Sequence, residues 1–276
     1  MSTLRRSLDR SHALALALVI AASSASCGTL ENGRGWGQDA TLAPGWERVR
    51  AAAYRNAVAP WTWMPLAGAA VLQIDHMDEH ISDWARDETP IFGSEQHAAD
   101  ASNTWRDASG NLWLASVFAT QSGDSLGEWS LSKAKGFLVE SAAKGVGRGL
   151  TSVLKDTVSR SRPNDDGDIR SFPSGHMTEA MGSAVMTSRN LDSMALPPTV
   201  VWPLRVVTYG LALGTGWARV ESGSHFPSDV LFAAGATNFL AGFVHDAFLG
   251  LDANPGLVVS RGPLGDGLEL GLSWNF

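Results

Sequence analysis

The stretch RSFPSGHMTEA, residues 170–180, decides how the chain is read. Pro173, Ser174 and Gly175 make a turn, and an apolar run begins at Met177. Thr178 and Glu179 suit a first helical turn, so a helix is expected to open here. Free N–H groups and the positive end of the helix dipole make such a start an anion site. Gly175 lets the backbone come close to a ligand. His176 then stands beside that anion. Taken alone, the stretch is an ordinary helix start that contains a histidine. Its meaning depends on what lies upstream and about fifty residues downstream.

Upstream is KDTVSRSRP, residues 155–163. Lys155 and Arg162 are seven apart, nearly two helical turns, so both cations are expected on one face of a helix that Pro163 ends. Downstream is GWARVESGSHFPSDVLFAAG, residues 216–235. Arg219 precedes His225 by six, and Asp229 follows it by four. Pro227 is accepted in the first turn of a helix. A helix starting near His225 puts Asp229 one turn on, where its carboxylate accepts one ring N–H and leaves the other nitrogen free to attack. Each piece alone is weak: a basic stripe, a helix cap, a His-x-x-x-Asp.

Together, and in this order, K-x6-R-P, P-S-G-H and R-x5-H-x3-D resemble the type 2 phosphatidic acid phosphatase (PAP2) superfamily. It includes soluble bacterial acid phosphatases, membrane lipid phosphatases and vanadium haloperoxidases. The resemblance spans roughly 150–230 and implies an all-α helical bundle. It also implies roles. His225 attacks phosphorus and carries a phosphohistidine, Asp229 orients it, and protonated His176 serves the leaving oxygen and then activates water. Lys155, Arg162 and Arg219 hold the equatorial oxygens, with Ser174 and the Gly175 N–H. No metal and no cofactor is implied; vanadate enters only in the haloperoxidase alternative, against which the short chain argues. An unprotonated His225 and a protonated His176 predict a bell-shaped pH profile. Three departures stand out. Ala218 occupies a usual serine position before Arg219. Only nine residues separate Pro163 from Pro173. Met177 replaces a small or hydroxylic residue and is read as narrowing the pocket beside the leaving group.

The rest of the chain frames this site. The 276 residues carry 18% charged and 44% hydrophobic residues, enough for one core without disulfides, and a net charge of −7, which argues against a nucleic-acid partner. Arg5, Arg6 and Arg10, the apolar run 13–22 and small residues before the single cysteine, Cys27, have the layout of an export leader. Cys27 at the cut resembles a lipoprotein leader, in which that thiol is acylated. The expected organisation is an export or lipoprotein-like signal at 1–26, a Gly-rich tether at 27–50, a helical catalytic domain at 51–251 and a C-terminal hairpin extension at 252–276. Apolar stretches at 57–74, 111–120, 177–187, 200–213 and 229–250 read as helices, none a clean membrane span. A soluble bundle fits the near-zero mean hydropathy. GLVVS (256–260) and LELGLSWNF (268–276) alternate like strands.

HMDEH, residues 76–80, matches a zinc-protease pattern through His76 and His80, but no third ligand stands out, and an acidic amphipathic helix is expected. NDDGD, residues 164–168, reads as a solvated acidic turn. The partner expected is a phosphate ester, lipid or soluble. Trp-rich segments such as PWTWMP (60–65) are read as core packing in preference to lipid contact. A periplasmic or outer-membrane site in a bacterium follows from the leader. A non-catalytic envelope lipoprotein is the remaining alternative, opposed by the intact set Lys155, Arg162, His176, Arg219, His225 and Asp229.

Overall fold

A computed structural model describes residues 26–30, 33–164 and 167–250 and the backbone of 257–261 and 268–272. Eight α-helices are described: α1 Trp46–Val58, α2 Pro60–Val71, α3 Met77–Glu88, α4 Glu95–Ala119, α5 Leu126–Val158, α6 Gly175–Leu191, α7 Pro198–Glu221 and α8 Pro227–Leu249. The all-α bundle expected from the sequence is what forms. Two short strands follow, β1 Leu257–Arg261 and β2 Leu268–Leu272, paired antiparallel with Val259 opposite Leu270. Residues 1–25 of the export signal expected at 1–26, and the chain end beyond Leu272, lie outside the described residues.

The helix starts are set by local chemistry. Ser125 and Glu128 form a reciprocal capping box at α5, and Ser94 accepts the His97 N–H at α4. Pro198 and Pro227 occupy first-turn positions of α7 and α8, where the missing N–H costs nothing. Gly250, at φ 85°, closes α8 in the left-handed conformation.

Helix α6 is the centre. Twelve of its seventeen residues are buried, and α4, α5, α7 and α8 all pack on it. Its small residues Gly182, Ser183 and Ala184 let those neighbours approach, while Met177, Met181, Val185 and Met186 are wholly buried. Each such side chain contributes about 1.5–3 kcal/mol on removal from water. Helices α5 to α8 run alternately up and down, so the end of α5, the start of α6, the end of α7 and the start of α8 meet at one end of the bundle. The three motifs occupy these four helix ends.

The segment expected as a tether begins α1 at Trp46, and its Trp36 is wholly buried. That indole lies where a Cβ on Gly136 would come within 2.3 Å of the ring, so α5 needs a glycine there. A Cβ on Gly214 of α7 would likewise stand 2.1 Å from the Trp105 ring of α4. The helical reading of 126–150 was not visible as an apolar run, because α5 alternates small, charged and apolar residues. Charge enters the core as well. Glu140 accepts the Trp113 indole N–H at 2.6 Å and the Asn190 amide at 3.2 Å, and Arg189 pairs with Asp246 at 2.9 Å.

Among the described residues one helix, α8, is long and apolar enough to cross a membrane, and most of its apolar stretch is buried inside the bundle. PWTWMP is not core: Trp61 stacks on Tyr209 at 4.9 Å, while Trp63 stays 52% exposed. Helix α7 likewise exposes Trp202, Val206 and Val207.

The Trp105–Gly214 contact gives a test. Gly214→Ala should lower the unfolding free energy by about 1–3 kcal/mol through overpacking, read as a shifted urea midpoint with an unchanged m-value.

Candidate active site

The motif residues meet at the common end of α5 to α8, but not all by the expected route. Helix α5 stops at Val158, because Ser159 takes the left-handed conformation at φ 50°. Arg162 is therefore in a loop, and the expectation that Lys155 and Arg162 share a helix face ending at Pro163 is corrected. The loop carries Arg162 back toward Lys155. Within it the Ser171 N–H donates to the Arg160 carbonyl at 2.9 Å and the Arg162 N–H to the Asp168 carbonyl at 3.1 Å. Asp168, from the acidic turn, also pairs with the Arg162 guanidinium at 2.8 Å. That turn holds a cation of the site in place instead of merely facing water.

Ser174 caps α6, its hydroxyl accepting the Met177 N–H at 3.4 Å. The Gly175 and His176 N–H groups of the first turn are left without an intrahelical acceptor. A Cβ on Gly175 would touch the Lys155 stem at 4.0 Å, so that residue brings the backbone close to the lysine. Lys155 donates to the Arg170 carbonyl. Burial lowers its pKa to about 8, with the positive Arg162 adding to the effect. Arg219 is buried, donates to Ser102 at 3.4 Å, and leaves its Nε without a hydrogen-bond partner among the described residues. Burial, then Arg162 and Arg106, pull its pKa down to about 10.

His225 is buried, and its Nδ1 sits 2.6 Å from the Ser171 carbonyl oxygen. A carbonyl can only accept, so Nδ1 carries the proton and Nε2 keeps its lone pair. Asp229 stands 3.9 Å from Nδ1, too far for a hydrogen bond, so the ring proton goes to Ser171 and not to the carboxylate. Burial lowers the His225 pKa to about 4, and Asp229 only partly offsets this against Arg219 and Lys155.

Asp229 is instead the hub of a clamp that the sequence did not reveal. Its carboxylate accepts the Phe226 N–H at 3.0 Å, the Ser171 hydroxyl at 2.5 Å and Arg160 at 2.7 Å. Arg160 reaches on to Asp78 at 2.7 Å and covers the Phe226 ring at 3.8 Å. Asp78 is buried and accepts the Ser228 N–H at 2.8 Å. Burial pushes the Asp229 carboxyl up, yet His225, Arg160 and the Ser171 hydroxyl together hold it below the usual carboxylate range. Asp78 belongs to HMDEH. The zinc pattern therefore hides a structural aspartate, and no cluster of metal-ligating residues occurs among the described residues. Helix α3 also lends Arg86, which donates to the Pro163 carbonyl at 2.6 Å.

His176 faces the same gap, half-buried. Its Nε2 is 2.9 Å from Arg106 Nη1 and 2.8 Å from Asn103 Oδ1. Arg106 donates only to an unprotonated nitrogen, while Asn103 Oδ1 accepts only from a protonated one. Burial lowers its pKa to about 3, and Arg219, Arg106 and His225 add to this. Arg106 and Asn103 were missed because both lie on α4, seventy residues from the motifs, in a stretch with no pattern of its own. Met177 does not line the gap: it is wholly buried, with its sulfur 3.0 Å from where a Cβ on Gly216 would stand. The pocket-narrowing role is withdrawn. Ala218 is also wholly buried.

The class of protein is thus a helical bundle whose α5 to α8 ends gather His176 and His225 with Lys155, Arg162 and Arg219, and Arg106 reaches His176 from the middle of α4. The family model of the PAP2 superfamily matches residues 141–250, from the middle of α5 to the end of α8. The fold is similar to that in the crystal structure of the first transmembrane PAP2 type phosphatidylglycerolphosphate phosphatase from Bacillus subtilis. That likeness has a TM-score of 0.50 at 20% identity and covers 66% of this chain and 90% of that one. None of the curated proteins matches the chain.

The clamp can be tested directly. Arg160→Gln leaves Asp78 and Asp229 without their shared cation and should lower stability by about 3 kcal/mol. Arg160→Lys, unable to bridge two carboxylates, should recover less than half of this in urea unfolding.

Proposed function

We propose that the protein hydrolyses phosphate monoesters through a phosphohistidine on His225. The observation that carries this is the His225 ring itself: Nδ1–H is held by the Ser171 carbonyl at 2.6 Å, so Nε2 is an unprotonated nucleophile at the mouth of a cationic gap. Lys155, Arg162, Arg219 and the first-turn N–H groups of α6 bind the equatorial oxygens, where positioning and charge stabilisation dominate phosphoryl transfer. The P–N bond forms as the ester P–O bond breaks, and the leaving oxygen takes a proton from His176. His176 then removes a proton from water, the resulting hydroxide attacks phosphorus, and the P–N bond breaks to release phosphate. These steps use only this chain's own groups.

Electrostatics assigns a sequence to protonation. With no phosphate bound, burial and then the nearby cations hold His176 neutral. A phosphate dianion offsets those charges and draws Arg106 toward itself, so substrate binding raises His176 into its acid form. Asp229, held as an anion by Arg160, stabilises the positive charge on the phosphorylated ring.

Export and lipid attachment at Cys27 belong to the same proposal. Cys27 is exposed, and its neighbour Gly28 bridges to Gly123, in the loop between α4 and α5. That is the bundle end remote from the catalytic gap, about 45 Å away along α5. A lipid on Cys27 would therefore present the active site away from the anchoring surface.

Rapid-quench labelling with a radioactive phosphate ester should trap an acid-labile, base-stable phosphoenzyme in the wild type and none in His225→Ala. A label that survives acid in the wild type would sink the reading. His176→Ala should lower kcat/KM by about 100- to 10,000-fold on alkyl phosphates, but far less on p-nitrophenyl phosphate, whose leaving group needs no proton, while kcat falls on both because His176 also activates the water. The pH profile has a defined sign. Activity falls as pH drops through the His225 value of about 4, and falls as pH rises through His176, at about 3 in the free protein. The optimum of kcat/KM should be acidic, and the basic limb of kcat should lie at higher pH than that of kcat/KM.

A further inference from the structure

Helix α4 lies before the stretch of chain that the PAP2 family model matches, yet it reaches the proposed proton donor. Asn103 and Arg106 are three apart, so both stand on one face of α4. Arg106 Nη1 and Asn103 Oδ1 meet the same atom, His176 Nε2, at 2.9 and 2.8 Å. The two contacts demand opposite things of that nitrogen. A guanidinium only donates, so it needs a lone pair there; an amide oxygen only accepts, so it needs a proton. Turning the Asn103 amide over would set two donors on one nitrogen, so the oxygen is the end that faces the ring. No single protonation state of His176 satisfies both neighbours.

The surrounding charge decides between them. Arg219 of α7, Arg106 of α4 and His225, just ahead of α8, act on His176 against protonation, and Asp107 of α4 opposes them. Lys155 of α5 reaches the start of α6, its stem 4.0 Å from where a Cβ on Gly175 would stand. Arg162, from the loop after α5, pairs with Asp168. Glu179, further along α6, is taken by Arg148 of α5 at 3.5 Å. In the free protein the balance is cationic, so the Nε2 lone pair faces Arg106 and the neutral ring carries its proton on Nδ1. Arg106 has a second hold that does not depend on the ring: its Nε and Nη2 reach Asp107 Oδ1 at 2.9 and 2.8 Å. A bound phosphate offsets the excess positive charge. Nε2 then takes a proton from solvent, and the new N–H donates to Asn103.

We propose that Arg106 and Asn103 are positioning residues that hold His176 Nε2 in turn, Arg106 in the free protein and Asn103 once phosphate is bound. The proposal rests on the phosphatase reading above. It assigns the reacting atom. With Nε2–H on Asn103, Nδ1 gives its proton to the leaving oxygen. The ring is then neutral, still protonated at Nε2, and its Nδ1 lone pair is ready for the proton of water. One nitrogen thus serves both half-reactions. The proton taken up at Nε2 returns to solvent when phosphate leaves. His225 is held in the mirror arrangement, with the Ser171 carbonyl 2.6 Å from Nδ1 and Nε2 left to react.

Nitrogen NMR of the full chain, labelled at histidine, reads the exchange directly. His176 is assigned by its loss in His176→Ala, and its two ring nitrogens are told apart by their couplings to the ring protons. The probe is inorganic phosphate at saturation. At one pH, wild-type Nε2 should be unprotonated without phosphate and protonated with it. Arg106→Gln should raise the pH at which Nε2 of the free protein titrates by about one unit, the size of one charge-assisted hydrogen bond. Asn103→Leu should lower that pH in the phosphate complex by about half a unit, as the loss of one partly exposed hydrogen bond would. Asn103→Asp keeps an acceptor and should not lower it. On an alkyl phosphate, Asn103→Leu should reduce kcat several-fold with KM little changed. Asn103 is exposed on α4, so its variants should fold. If phosphate leaves Nε2 as it was, or if Arg106→Gln and Asn103→Leu both titrate within about 0.2 unit of wild type, the assignment is overturned. If the wild type turns over neither p-nitrophenyl phosphate nor an alkyl phosphate, the phosphatase reading falls and the assignment with it. If it turns over either, only the exchange of partners is at stake.

Discussion

Everything at the motif end of the bundle depends on one half-buried guanidinium. Arg160 joins Asp78 of α3 to Asp229 of α8, both of them buried carboxylates. Two such anions cannot be buried close together without a cation between them. Once Arg160 is in place, it fixes the loop that leaves α5, and the Ser171 hydroxyl binds the same aspartate. The Ser171 carbonyl is thereby aimed at His225, which sets the tautomer of the ring proposed as nucleophile. The clamp lies behind the reacting groups and decides where they point.

The fold then concentrates helix ends. Four termini of an up-and-down bundle meet at one end, and each motif sits where a chain turns from one helix into the next. This crowds Lys155, Arg162, Arg219 and Arg106 into one gap, and both histidines are held well below their usual range. Burial first, and these positive charges second, keep both rings unprotonated.

The three motifs were legible because their spacing is local: a cap, a turn and a one-turn relation between His225 and Asp229. Other readings failed for physical reasons. Lys155 and Arg162 were seven apart, but a left-handed residue at Ser159 ended the helix first, and only backbone geometry shows that. Asp229 had the spacing to orient His225, yet Arg160 and Ser171 claim its oxygens, so a carbonyl took over that task. Met177 looked like a pocket residue because it follows His176; helix rotation turns it toward Gly216. Asp78 was hidden inside a zinc-like pattern, and Arg106, Asn103 and Arg160 had no pattern at all.

The sequence by itself determined the helical class, the order of the elements and the motif residues that gather at one end of the bundle, because these follow from periodicity and short-range spacing. Only the tertiary structure decided which groups support them. Asp78 and Arg106 lie 82 and 70 residues from the partners they touch, and their contacts exist because helices α3 and α4 pack across the catalytic end. Burial decides the rest. A histidine has its ordinary proton affinity in any sequence, and loses it only where neighbours remove water and crowd in positive charge.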